Sequence, residues 1–171
     1  FVHTAVTPGR PPLLLIHGYP TASYDWVRVW PRLAARHSLY TLDLLGFGLS
    51  DKPRGSRYPI EQQAGFCMAL LGEFDVGEVH VLAHDYGDTV AQELLARHAE
   101  GRLKVASMTF LNGGLFPETH RARPIQKLLA TRVLGPLLAR AMNYEKFAAA
   151  MLSVSGRHPP SSDELQDLWL L

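Results

Sequence analysis

The stretch that most constrains the fold is residues 78–92, which read EVHVLAHDYGDTVAQ. The apolar, β-branched run 79–83 predicts a strand, and the apolar residues spaced three and four apart after residue 89 predict a helix. A strand that turns directly into a helix brings two backbones close together, where only small residues such as Ala83 and Gly87 fit. The sequence therefore predicts a strand, a sharp turn and a helix, with the Asp85 side chain exposed on the turn.

The turn has the pattern small-x-Asp-x-Gly, which is that of a nucleophile elbow with aspartate in the place where esterases carry serine. The backbone N–H of Tyr86 would lie at the first turn of the helix, where partial positive charge favours an anion. The alternative is structural, because an aspartate beside a helix start is commonly an N-cap. Asp88 could serve as that cap instead, in which case capping explains Asp85 less well.

Composition and charge exclude several classes of protein. The 171 residues fit one domain, and the formal net charge of +1 offers no basic surface for nucleic acid. Cys67 is the only cysteine, so there is no internal disulfide, and no Cys/His spacing resembles a metal site. No apolar run is long enough to span a membrane. We therefore expect no cofactor or metal, no nucleic acid partner and no membrane contact in these residues.

Strands and helices alternate over residues 12–112. The predicted strands are 13–16, 39–44, 79–83 and 106–111. Such alternation predicts a right-handed, parallel α/β sheet with its ligand crevice at the carboxyl ends of the strands. Gly18, Asp85 and Asn112 each follow a predicted strand, so the sequence predicts that they lie at this crevice.

The alternation stops after residue 112, and the remaining sequence predicts helices only, at 124–142, at 144–153 and from 161 onward. The last begins with a Ser-x-x-Glu capping box at Ser161. We interpret residues 1–112 as the N-terminal part of the core and 113–171 as the start of a helical lid. The chain opens on Phe1 and stops within an apolar helix, so we expect a fragment truncated at both ends and predict no localisation.

Four segments together resemble a known superfamily: LLLIHGYP, DLLGFGLSDKP, HVLAHDYGDTVAQELLAR and LNGGLFPETHR. In this order they are similar to the motifs of α/β-hydrolases, specifically the aspartate-nucleophile branch of epoxide hydrolases and haloalkane dehalogenases. Within that branch they are most similar to the mesoderm-specific transcript proteins. The resemblance implies the α/β-hydrolase fold, a parallel-sheet core with a helical lid.

The resemblance also implies roles for individual residues. Asp85 would be the nucleophile, and the backbone N–H groups of Tyr19 and Tyr86 would form the oxyanion hole. A carboxylate, whose ordinary pKa is about 3.9, needs no base to attack a saturated carbon and form an alkyl ester. A water that is activated by a histidine and its acid partner then hydrolyses the ester. The family takes both groups from later strands, and Asn112 stands where some dehalogenases carry the acid.

Two residues of the resemblance bear on the substrate. Tyr86 follows the nucleophile where dehalogenases carry a halide-binding tryptophan, and Tyr19 replaces an asparagine often found in dehalogenases. The resemblance therefore implies a small-molecule substrate, and we expect an epoxide-like one. In epoxide hydrolases lid tyrosines protonate the opening ring, which implies Tyr144 as the donor here, although a tyrosine beside Phe147 on a helix also fits a core position. The alternatives are a haloalkane dehalogenase and a binding protein that keeps the fold without turnover.

Overall fold

The computed structural model describes residues 1–116, 128, 131 and 134–171 of the chain. These residues divide into two compact units, Phe1–Leu115 and Phe116–Leu171. The first unit contains a sheet with helices, and the second is helical over its elements of secondary structure. The division falls beside the predicted boundary after residue 112, and the role of the second unit as a lid stays a prediction.

The first unit is built on a five-stranded sheet. Its strands in chain order are β1 (Val2–Ala5), β2 (Pro12–Ile16), β3 (Ser38–Leu42), β4 (Val79–His84) and β5 (Val105–Leu111). They lie in the order β1-β3-β2-β4-β5, with β1 antiparallel to β3 and the other neighbours parallel. The predicted α/β class with a mostly parallel sheet is confirmed, and β1 adds an antiparallel edge.

Helical segments connect the parallel strands. They are a 3₁₀ helix (Ser23–Trp26), α1 (Trp30–Ala34), α2 (Ile60–Glu73) and α3 (Tyr86–Ala99). A proline stands in the first turn of α1, where its missing N–H needs no partner. Because neighbouring strands β2, β4 and β5 run parallel, their carboxyl ends meet at one edge of the sheet.

Apolar residues cover both faces of the sheet, because successive residues of a strand point to opposite sides. Leu14 lies in one buried cluster with Leu94 of α3. Leu13, its neighbour on β2, lies in a second cluster with Trp26. Burial on both faces is the reason that the run 13–16 is continuously apolar rather than alternating.

The second unit contains α4 (Leu134–Arg140), α5 (Tyr144–Val154) and α6 (Ser162–Leu170). The helix predicted over 124–142 lies partly outside the described residues, which include its end as α4. The predicted capping box is confirmed: Ser161 Oγ accepts from the Glu164 N–H at 3.2 Å, and the Glu164 carboxylate accepts from the Ser161 N–H at 2.7 Å. None of the helices in the described ranges is long and apolar enough to cross a membrane.

Candidate active site

Asp85 alone joins β4 to α3, with φ +53° and ψ −114°. A residue other than glycine in such a conformation costs on the order of 1–3 kcal/mol, and strained residues of this kind cluster at functional sites. The small residues around it are required by space, since a Cβ on Gly87 would lie 2.5 Å from the Ile16 carbonyl oxygen. The predicted strand, turn and helix are therefore confirmed, but Asp85 is half-buried rather than exposed.

Both predicted oxyanion-hole donors point to one oxygen of Asp85. The Tyr19 N–H donates to Asp85 Oδ1 at 2.9 Å, and the Tyr86 N–H donates to the same atom at 2.7 Å. One carboxylate oxygen of Asp85 is therefore held in place by two backbone donors, one from each side of the elbow.

The assignment of the N-cap to Asp88 is wrong, because Asp85 caps α3 itself through its bond from the Tyr86 N–H. Asp88 is buried in the first turn, where side chains lean back toward the start of the helix and, here, toward the end of β5. Its Oδ1 accepts from the Leu111 N–H at 3.3 Å. Burial raises the pKa of Asp88, and the nearby N–H groups of Leu111 and Gly113 partly oppose this. Asp88 therefore connects the end of β5 to the first turn of α3 by a hydrogen bond.

The loop after β2 approaches the elbow closely at Gly18, where a Cβ would lie 2.7 Å from the Asp85 Cβ. This approach brings the next peptide N–H, that of Tyr19, to the carboxylate. The Phe47 ring lies between the two tyrosines, with its centroid 6.2 Å from that of Tyr19 and 5.5 Å from that of Tyr86. The sequence marks the Gly-Phe-Gly loop, but it does not show that Phe47 lies beside the oxyanion hole.

His17 holds the ends of β2 and β3 together and is fully buried. Its Nε2 accepts from the Leu44 N–H at 2.9 Å, so the proton is assigned to Nδ1, which donates to the Gly18 carbonyl at 2.8 Å. Burial lowers the pKa of His17 and favours the neutral ring. With both nitrogens engaged, His17 has a structural role, in agreement with its place in the HG turn.

A second contact beside the elbow was not foreseen from the sequence. His84, the last residue of β4, places its Nδ1 3.8 Å from Asp25 Oδ2 in the 3₁₀ helix. No motif marks Asp25, which only the folding of the loop after β2 brings to the elbow. Asn112, by contrast, lies where it was predicted, directly after β5.

Tyr144 belongs to the second unit. Its ring centroid lies 6.4 Å from that of Trp169, and its hydroxyl donates to the Ser162 carbonyl at 3.5 Å. Tyr144, the first residue of α5, thus contacts α6 and is half-buried. A role as proton donor stays a proposal.

Within the residues that the structure describes, no three His, Cys, Asp or Glu side chains are grouped to hold a metal ion.

The fold and the site together define a class of protein: an α/β sheet with a carboxylate at a strained strand-to-helix turn and two backbone N–H groups directed at it. A family model described as alpha/beta hydrolase fold matches residues 11–159. The chain belongs to this family.

Two relatives are similar to most of this chain. The human mesoderm-specific transcript homolog protein is 47% identical over 165 residues, which cover 92% of this chain and 49% of the relative. A haloalkane dehalogenase from Mesorhizobium japonicum is 30% identical over 159 residues, which cover 91% of this chain and 50% of the relative. The chain thus spans about half the length of these relatives. The predicted resemblance to this family is confirmed.

Solved structures agree with the fold. An alpha/beta hydrolase fold protein from Burkholderia ambifaria superposes with a TM-score of 0.75 at 28% identity, covering 99% of this chain and 61% of that one. The haloalkane dehalogenase DbeA from Bradyrhizobium elkani superposes with a TM-score of 0.79 at 24% identity, covering 98% and 58%. At that identity the second likeness shows the fold alone.

Proposed function

We propose that the protein is a hydrolase that forms an alkyl ester on Asp85, with epoxide-like substrates preferred. The observation that carries this proposal is the convergence of the Tyr19 and Tyr86 N–H groups on Asp85 Oδ1. A carboxylate that served only as an N-cap would need neither the strained backbone of Asp85 nor a second donor from the loop after β2.

In the first step Asp85 Oδ2 attacks a saturated carbon of the substrate. A new C–O bond forms as the ring C–O bond of the epoxide breaks, and the electron pair leaves with the ring oxygen, which takes a proton. The two N–H groups hold Oδ1, so Oδ2 is presented in a fixed orientation. Fixed orientation of this kind lowers the entropic part of the barrier.

In the second step water attacks the carbonyl carbon of the ester, which is Asp85 Cγ, and gives up a proton to a base. Oδ1 is then the carbonyl oxygen of the ester, and negative charge develops on it while the Tyr19 and Tyr86 N–H groups already point to it. The bond between Cγ and Oδ2 then breaks, the departing alkoxide takes a proton to give the diol, and the carboxylate of Asp85 is restored with an oxygen from water. In comparable sites the loss of one such donor lowers the rate by about 10² to 10³. We assign the water-activating base to none of the described residues.

The preference for epoxides depends on Tyr86 and Tyr144. The Tyr86 hydroxyl lies 3.5 Å from the Tyr58 carbonyl, and a phenol at this position offers no indole N–H for a halide ion. We propose Tyr144 as the proton donor to the opening ring. The second candidate is a haloalkane dehalogenase, which the relative from Mesorhizobium japonicum favours.

The test is to find the covalent adduct. The full-length protein, in excess over styrene oxide or 1-bromobutane, is quenched in acid at short times, digested and analysed by mass spectrometry. We expect the mass of the epoxide on the peptide that contains Asp85, and none in Asp85→Ala. Asp51→Ala, an exposed aspartate outside the site, is the matched control.

The two substrates separate the alternatives. Tyr144→Phe should slow consumption of the epoxide and leave that of the bromoalkane unchanged if Tyr144 is the proton donor. Faster reaction with 1-bromobutane than with the epoxide would favour a dehalogenase. An adduct that persists in Asp85→Ala overturns the nucleophile, and no reaction of the folded protein with either compound favours a binding protein without turnover.

A further inference from the structure

The loop that carries the Tyr19 N–H is hydrogen-bonded to one carboxylate, that of Asp25. Asp25 Oδ2 accepts from the Thr21 hydroxyl at 2.6 Å and lies 3.3 Å from the donating Gly18 N–H. These donors lie on either side of Tyr19 in the chain, so Asp25 restrains both ends of the short loop 18–21. Because a peptide N–H cannot rotate independently of its neighbours, the direction of the Tyr19 N–H depends on this restraint.

The same carboxylate faces the strand that carries the nucleophile. Asp25 Oδ2 lies 3.8 Å from Nδ1 of His84, which directly precedes Asp85, with 16% of the Asp25 side chain and 39% of the His84 side chain exposed. A Cβ on Gly18 would lie 3.0 Å from the same nitrogen, so the ring also packs against the loop. A protonated His84 would therefore join the loop after β2 to the end of β4.

We propose that Asp25 and His84 are positioning residues for the Asp85 site, which together hold loop 18–21 so that the Tyr19 N–H stays directed at Asp85 Oδ1. The inference rests on the proposed function of Asp85. Neither residue contacts the reacting oxygen, and both act through the backbone of the loop.

The ion pair makes this restraint depend on pH. The Asp25 side chain raises the pKa of His84 above the ordinary 6.5, burial opposes the change, and the charges of Asp85 and Asp88 add to it. His17, which follows β2, also faces His84, and the neutral form of His17 is favoured. Because the pKa of the folded state is the higher one, the ion pair is fully present below pH 6.5 and is lost as pH rises through the raised pKa.

The experiment measures two quantities in the full-length protein, the pKa of His84 and the rate of styrene oxide consumption. NMR of ¹⁵N-labelled histidine gives the pKa of His84, whose resonance is assigned by its absence in His84→Gln. The rate of styrene oxide consumption with protein in excess is measured between about pH 5 and 9. Asp25→Asn keeps an acceptor for Gly18 and Thr21 but removes the charge. Asp51→Asn is the control for the loss of one negative charge.

In the wild type we expect the rate to fall as pH rises through the pKa of His84. In Asp25→Asn the pKa of His84 should return toward about 6.5. The fall in rate should then occur at this lower pKa or disappear. The rate near pH 6 should drop roughly tenfold to a hundredfold. His84→Gln should lose the same pH dependence, while Asp51→Asn should match the wild type in both measurements.

Two results would overturn the inference: the same His84 pKa in the wild type and Asp25→Asn, or a pH profile that neither variant changes. Once His84→Gln has assigned the resonance, the wild-type titration decides on the ion pair even if Asp25→Asn unfolds, because a His84 pKa at or below about 6.5 rules the pair out. Failure of the proposed function has a different signature, namely no adduct on Asp85 of the wild type at any pH.

Discussion

Gly87 shows how one residue decides whether the elbow can form. Its missing side chain lets α3 approach the end of β2, where a Cβ would lie 2.5 Å and 2.7 Å from the carbonyl oxygens of Ile16 and His17. Backbone atoms in a buried sheet cannot move aside as a flexible side chain can. The elbow therefore depends on this glycine for steric reasons that are independent of chemistry.

We expect Gly87→Ala to lower the free energy of unfolding by about 1 to 3 kcal/mol, the usual effect of overpacking. The matched control is Gly72→Ala in α2, where a Cβ would meet no atom within 4 Å. That variant should gain roughly 0.5 to 1 kcal/mol, because alanine favours the helix over glycine. Urea unfolding of both variants measures the difference, and equal stabilities would contradict the steric argument.

Helix α6 is stabilised by a local cap at its start and by an aromatic contact with α5 near its end. Its first turn contains reciprocal bonds between Ser161 and Glu164, and these satisfy N–H groups that have no partner within the helix. Near its C-terminal end Trp169 packs against Phe147 of α5, with ring centroids 5.5 Å apart. The cap sets where the helix begins, and the aromatic contact sets what it packs against.

Ser161→Ala should destabilise α6 by about 1 kcal/mol, the usual loss for a serine N-cap. Amide hydrogen exchange over residues 164–170 should become faster by the corresponding factor of about five. Ser162→Ala, one residue further on, removes a hydroxyl that bonds Asp163 at 3.4 Å and should leave exchange nearly unchanged. Equal acceleration in both variants would show that the cap is not what stabilises this helix.

The reactivity of the Cys67 thiol shows whether the core of the first unit is closed. It is the only cysteine of the chain, it is fully buried in the core cluster between the sheet and the helices, and burial raises its pKa to about 12. Since only the thiolate reacts, its modification requires both exposure and ionisation. Reaction of this thiol therefore requires the core to open.

We expect a thiol reagent such as dithionitrobenzoate to react with Cys67 very slowly near pH 8 in native buffer. The reaction should accelerate with added urea in parallel with global unfolding followed by circular dichroism, because opening of the core then limits labelling. Rapid, stoichiometric labelling without urea would show that this face of α2 is open to solvent.

Much of the fold follows from local patterns, as the particular elements show. The apolar runs of β2 and β4, the small residues of the elbow and the capping box of α6 each reflect contacts within a few residues or a generic need for burial. For the same reason Asp85 and the Tyr86 N–H could be proposed in advance from the elbow pattern, whereas the role of Tyr19 was implied by the resemblance of the ordered motifs to the family. The assignment of the N-cap to Asp88 failed because burial against β5, rather than spacing from the turn, sets what that carboxylate bonds.

The sequence by itself determined that a strand turns sharply into a helix at Asp85, because only small residues tolerate the close backbones at Ala83 and Gly87. Only the tertiary structure decided what surrounds that aspartate. The Tyr19 N–H comes from 66 residues away, and Asp25 and His84 meet because β2 and β4 are neighbours in the sheet. Such contacts depend on how distant segments pack, and neither periodicity nor local spacing encodes that packing.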